Sequence, residues 1–183
     1  MAYQVIPTAI PDVLLLEPNL FSDERGYFFE SFNARDFRES TGLTVEFVQD
    51  NHSLSKQGVL RGLHYQIQHP QGKLLRVVKG VVFDVAVDLR KSSLTFGCWV
   101  GAMLTADNRK QLWIPPGFAH GFLALSDEAE VLYKITDYWH PEHERTLLWN
   151  DPTLRIQWPI DGKPGLAKKD SEGLLFKDIE VFN

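Results

Sequence analysis

Val81–Leu89 alternates without a break, with Val81, Phe83, Val85, Val87 and Leu89 on one face and Val82, Asp84, Ala86 and Asp88 on the other. A period of two is the geometry of a β-strand, whose successive side chains leave on opposite faces. Shorter runs of strand type fill most of the chain: Val13–Leu16, Tyr27–Phe32, Val45–Val48 continuing into Gln49–His52, Phe96–Leu104 and Gln111–Ile114. Leu60–Gln66 and Gln71–Gly80 read as two strands of a hairpin around Pro70 and Gly72, and Gly121–Leu125 with Val131–Ile135 as another pair. Asn33 is placed to cap a short helix through Glu39, with Gly42 to end it. No long amphipathic helix precedes Pro141. Beyond it the pattern weakens, and Pro152, Pro159, Gly162, Pro164 and Gly165 punctuate a tail.

Many short strands between Gly, Pro and Asp turns predict an all-β fold, an antiparallel sandwich or small barrel. A jelly roll is the expected form, because one of its sheet faces can line a pocket. Short helices are expected near the N-terminal third and in the C-terminal tail. The 183 residues suffice for one well-buried domain, read as 1–183. The formal net charge of −5 gives no whole-chain case for nucleic acid, yet leaves room for a basic pocket suited to a small anion. Cys98 is the sole cysteine, which excludes an intrachain disulfide and a cysteine-based zinc site and fits a reducing, cytoplasmic setting. No signal peptide or membrane-length apolar run is visible.

The chemistry concentrates between Leu60 and Gly80, where His64, Arg61, Arg76, Lys73 and Lys79 fall within two strands. His64 can be a packed core histidine or, in a cationic pocket, a neutral imidazole acting as base near neutral pH. Strict alternation sends Arg61 and His64 to opposite sides; a bulge at Gly62 would turn both inward. Lys73 shares the parity of Leu75 and Val77, so it is either a solvated strand end or a cation for a developing oxyanion. Tyr133 is a buried aromatic or a proton donor. Asp84 and Asp170 are each able to orient an imidazole. The spacing Pro115-Pro116-Gly117-Phe118-Ala119-His120 resembles the second motif of the cupins, where the histidine binds metal. The partner His-x-His pair is missing, since Tyr65 and Gln66 follow His64. The expectation is a cupin barrel with no metal.

Taken together, Phe21–Glu30 (FSDERGYFFE), Phe47–Ser53 (FVQDNHS), Leu60–Gln66 (LRGLHYQ), Gln71–Lys73 (QGK), Phe83–Arg90 (FDVAVDLR), Ile114–Phe122 (IPPGFAHGF) and Leu148–Asp151 (LWND) resemble the dTDP-4-dehydrorhamnose 3,5-epimerases. The resemblance runs in order through most of the chain. It implies a cupin jelly roll that works without cofactor as a homodimer on a dTDP-4-keto-6-deoxyglucose, toward L-rhamnose. Carried over by position, His64 matches the base, Asp170 its paired carboxylate, Tyr133 the general acid and Lys73 the cation near O4. Arg61 and His120 match contacts to the diphosphate and sugar. Gln49, Asp50, Asn51, Glu144 and Lys169 match other substrate contacts, and Arg25 and Glu30 match nucleotide contacts made across the dimer. Trp139 stands where many relatives carry Tyr.

Elementary chemistry agrees with those roles. A C4 ketone acidifies the hydrogens on C3 and C5, so epimerisation needs a base on one face, an acid on the other and positive charge near O4. No redox cofactor is needed, because the ketone already exists. Three other readings use much of the same sequence: an epimerase inverting only C3 or C5, a non-catalytic sugar-binding jelly roll, and a metal-dependent cupin oxygenase, the last opposed by the missing ligands.

Overall fold

A computed structural model of the chain describes residues 3–183. Its strands are β1 (Gln4–Pro7), β2 (Leu14–Glu17), β3 (Phe21–Asp23), β4 (Gly26–Phe28), β5 (Gln49–Lys56), β6 (Leu60–Gln66) and β7 (Lys73–Lys79). They continue as β8 (Val81–Asp88), β9 (Trp99–Thr105), β10 (Gln111–Ile114), β11 (Phe118–Ala124), β12 (Glu128–Ile135) and β13 (Glu144–Thr146). Two short helices, α1 (Ala34–Thr41) and α2 (Lys168–Ser171), accompany them. One sheet has the order β1-β2-β10-β7-β12-β5 and faces a second with the order β13-β6-β11-β8-β9, while β3 and β4 form a separate hairpin. Every strand pairing within these sheets is antiparallel. The result is the expected all-β jelly roll. Among the described residues, no helix is long and apolar enough to cross a membrane.

The alternation along the strands decides what each face buries. Leu75, Val77, Leu112, Ile114 and Val131 of the first sheet meet Val82, Ala86, Leu104, Phe118 and Phe122 of the second in the space between them. The other face of β8, with Val85 and Val87, is covered by the tail through Leu147, Leu154, Ile156, Trp158 and Phe182. β8 is therefore buried on both faces, with valines on the tail side and, on the other, Val82 and Ala86 beside the buried carboxylates of Asp84 and Asp88. On the outside of the first sheet, Phe37 of α1 packs on Leu16, Leu74 and Trp113. Asn33 caps α1 by accepting from the Arg35 and Asp36 amides, and Gly42 ends it in the left-handed region, as the sequence suggested.

Two expected hairpins are not hairpins. β6 pairs with β11 and β13, whereas β7 pairs with β10 and β12, so the turn at Pro70 carries the chain from one sheet to the other. The link at residues 125–127 does the same between β11 and β12. Strands adjacent in sequence here face each other across the core, where periodicity alone cannot tell crossing from pairing. Val45–Val48 is also not a strand. Val45 and Phe47 bury against Phe37 and Trp113 under α1, and the ladder begins at Gln49. Strand structure after Tyr27 stops at Phe28, and Phe96 lies in a turn ahead of β9.

Candidate active site

A cleft of about 380 Å³ opens between the sheets. Parity on β5 sends Gln49, Asn51 and Ser53 into it, and parity on β12 sends Tyr133 and Ile135. Lys73 enters from β7, so all of these stand on the first sheet. Arg61, His64 and Gln66 of β6, His120 and Phe122 of β11 and Glu144 of β13 form the facing wall. Lys169 and Asp170 of α2 close one side.

Arg61 and His64 share this wall because β6 is bulged. His120 pairs with His64 and Phe122 with Arg61, so three steps on β6 answer two on β11. The bulge needs glycine at position 62. Its φ is +117°, and a Cβ there would lie 2.6 Å from both the Gly121 Cα and the His120 carbonyl oxygen. Arg61 is then held by Nε donating to Ser55 Oγ at 2.9 Å and Nη2 donating to the Leu54 carbonyl at 2.9 Å.

The two histidines each hold a carboxylate. His64 Nε2 lies 2.5 Å from Asp170 Oδ1, and Asp170 is 2% exposed. With the carboxylate accepting, Nε2 carries the proton and Nδ1 keeps the free lone pair of a base. His120 Nε2 lies 3.0 Å from both oxygens of Asp84, which is fully buried. Burial lowers the pKa of His120 in spite of Asp84, with Lys73 and His64 pushing the same way. The two candidate carboxylates of the sequence thus serve different imidazoles. Asp170 owes its position to the tail: the Leu60 amide donates to the Gly165 carbonyl before α2, and beyond α2 the Leu174 amide donates to the Thr146 carbonyl while the Leu174 carbonyl accepts from the Leu148 amide.

Burial pushes the Lys73 ammonium down to about 8, against the attraction of Asp84 and Glu144 and with repulsion from Lys169. Burial raises the Tyr133 phenol, with Arg61 opposing and Glu144 adding, so it stays protonated at neutral pH. Lys169 Nζ donates to Glu144 Oε1 at 2.8 Å beside the cleft.

The cleft thus gathers His64, Tyr133, Asp170, Lys73, Gln49, Asn51, Arg61, His120, Glu144 and Lys169. Asp50 stands on the opposite face of β5, where its carboxylate takes Lys134 Nζ at 2.9 Å. Arg25 lies outside the cleft at the β3–β4 turn, ion-paired with Asp23, and Glu30 accepts from Asn33. Gln66, Gln71 and Trp139 line the cleft without having been singled out as contacts. Gln66 had a readable signal, since it shares the parity of His64 on β6; Gln71 and Trp139 sit in connections where parity says nothing.

The family profile of dTDP-4-dehydrorhamnose 3,5-epimerase matches residues 7–178. The chain belongs to that family. Membership makes the protein an isomerase. A dTDP-4-dehydrorhamnose 3,5-epimerase from Pseudomonas aeruginosa is 61% identical over 174 residues, covering 95% of this chain and 96% of the relative. The crystal structure of a Legionella pneumophila dTDP-6-deoxy-D-glucose-3,5-epimerase in complex with dTDP-4-keto-L-rhamnose superposes with a TM-score of 0.94 at 50% identity, covering 97% of this chain and 95% of that one. A 3'-monoepimerase from Streptomyces bikiniensis, in complex with dTDP-quinovose, superposes with a TM-score of 0.87 at 33% identity over 93% of this chain and 87% of that one. Fold alone therefore does not separate double from single inversion.

Proposed function

We propose that the protein converts dTDP-4-dehydro-6-deoxy-D-glucose to dTDP-4-dehydro-L-rhamnose by inverting C3 and C5, without a cofactor. One observation carries the mechanism. His64 stands on the second sheet and Tyr133 on the first, so base and acid line opposite walls of one cleft. In this reading His64 Nδ1 removes the hydrogen alpha to the C4 ketone, and the Lys73 ammonium stabilises the enolate oxygen. Tyr133 then delivers a proton to the opposite face of the same carbon and regains its own from solvent. His64 releases its proton to solvent, and the cycle repeats at the second carbon. Asp170 fixes the imidazole tautomer. Arg61 and His120, with Gln49, Asn51, Glu144 and Lys169, hold the sugar and diphosphate. The unit that does this is residues 1–183 as one domain, and a sugar-nucleotide substrate suits the cytoplasm.

The test is incubation with the 4-keto-D-glucose nucleotide alone, with product configuration read from proton coupling constants. L-rhamno product supports the reading. A C3-only product supports the second reading, a monoepimerase, for which the structural likeness above is the observation. No turnover at all would sink both in favour of a sugar-binding jelly roll.

Lys73 supplies a pH prediction. The ammonium is the active form and predominates below about 8. Log kcat/KM is expected to fall as pH rises through about 8, and the kcat limb to lie higher because the anionic substrate favours the ammonium. A rate profile flat across this range would remove Lys73 from the reaction.

The nucleotide contacts of Arg25 and Glu30 are proposed to reach a neighbouring subunit in a homodimer. The β3–β4 hairpin that carries Arg25 presents Phe21, Tyr27 and Phe28 at 51%, 57% and 63% exposure, an aromatic surface suited to a second copy. Sedimentation of the active protein is expected to give a dimer, and full activity as a monomer at assay concentration would contradict this.

A further inference from the structure

Behind the cleft wall, the β6–β7 turn meets the segment that follows β12. His69, Asp137 and His140 bring one ligand atom each to within 4.8 Å of one another. His69 Nδ1 already lies 3.4 Å from Asp137 Oδ2. The His69 and His140 rings stack with centroids 4.2 Å apart and 19° between planes, and His143 lies 5.7 Å from His69. Three of the six histidines of the chain therefore crowd one small region that the epimerase mechanism does not use.

We propose that His69, Asp137 and His140 form a non-catalytic site for a divalent transition-metal ion, zinc in the first instance. Two imidazoles and one carboxylate suit zinc, with a fourth position for water or for His143. Ligand atoms around tetrahedral zinc sit about 3.3 Å apart, so His69 and Asp137 are nearly in place and His140 closes by a small ring movement. The alternative is a set of plain ion pairs, His69 with Asp137 and His140 Nδ1 with Glu142 Oε1 at 3.6 Å, which gives each ring a carboxylate but no reason for the two imidazoles to stack with Asp137 in reach of both. Protonation of both rings would set like charges against each other, whereas a metal uses both lone pairs.

The arrangement is held independently of any ion. Gln66 Nε2 donates to the His69 carbonyl at 2.8 Å, and its Oε1 accepts from the His140 amide at 2.7 Å. Gln71 Nε2 donates to the Asp137 carbonyl at 3.1 Å. The Tyr138 amide donates to Asp137 Oδ1 at 2.8 Å, which leaves Oδ2 toward His69. A bound ion would clamp the two segments that supply Gln71 and Trp139 to the cleft. It would not touch the reacting carbons, because His64, Lys73 and Tyr133 stand elsewhere.

The test titrates Zn²⁺ into the chelator-treated full chain by calorimetry, with Co²⁺ absorption reporting ligand geometry. One saturable site per chain and a higher melting temperature with Zn²⁺ are expected. His140→Asn and Asp137→Asn should each weaken binding at least about 30-fold while leaving the metal-free melting temperature unchanged. His69→Asn keeps a residue that tolerates the left-handed backbone at this position, where φ is 55°, and should behave alike. His52→Asn, altering a histidine paired with Glu130 on the outer face of β5, should leave binding intact. Turnover should survive chelation. Absence of saturable binding, binding undiminished in His140→Asn, binding lost in His64→Asn instead, or turnover abolished by chelation would each overturn the proposal.

Discussion

His64→Ala is expected to lose both inversion and hydrogen exchange, with turnover falling by about 10³-fold, the scale of a general base. The substitution removes the nitrogen that would take the proton, while Asp170 remains buried in the site with its partner gone. Loss of an orienting group is usually milder than loss of the group it orients, so Asp170→Asn should fall between parent and His64→Ala. An asparagine at 170 can still hydrogen-bond the ring but accepts or donates according to its flip, which weakens the hold on the tautomer. The measurement is deuterium uptake from solvent at C3 and C5, followed by NMR for each variant. Near-normal uptake in His64→Ala would mean that another group is the base, with His120 the first alternative because it is the register partner of His64.

How much of this was legible before the structure can be judged residue by residue. The alternation of β8, the parity of Lys73 with Leu75 and the Gly62 bulge were all readable, because each is a local rule of strand geometry. The capped helix α1 was readable for the same reason. What stayed hidden was which strands face each other across the core. β6 and β7 look like a hairpin in sequence, yet their ladders lie in different sheets, and that crossing is what puts His64 opposite Lys73. The partnership of His64 with Asp170 spans 106 positions and depends on a tail whose pattern is weak. It came from resemblance, not periodicity. Asp84 was seen as a possible orienting group, but its pairing with His120 is a diagonal contact between β8 and β11 that only the register supplies. Asp50 illustrates the opposite error. It sits between Gln49 and Asn51 in sequence, and a period of two turns it away from the cleft they line.

Tyr133→Phe is expected to separate exchange from inversion. The ring stays, so packing against the core between the sheets changes little, and only the hydroxyl is lost. In the proposed mechanism His64 should still form the enolate and return a proton to the face it came from. Inversion should fall by about 10²-fold or more, while exchange with solvent deuterium stays within about tenfold of the parent, since only the acid step is removed. The raised pKa of the phenol, caused chiefly by burial, suits it to remain protonated and give its proton to a basic enolate carbon. If Tyr133 merely packs beneath the sugar, exchange and inversion will fall together or not at all. An unchanged ratio would move the donor role to a water or to another tyrosine, with Tyr138 the nearest in sequence.

The central claim, two inversions by proton transfer between opposite walls of one cleft, is tested most directly in deuterated water with the unmodified protein. The 4-keto-D-glucose nucleotide is supplied as the sole reactant, and NMR follows label and configuration at each carbon. Expected is L-rhamno product carrying deuterium at both C3 and C5, formed with no added cofactor. Inverted product that retains its original hydrogen at either carbon, or inversion confined to one of the two, would contradict it.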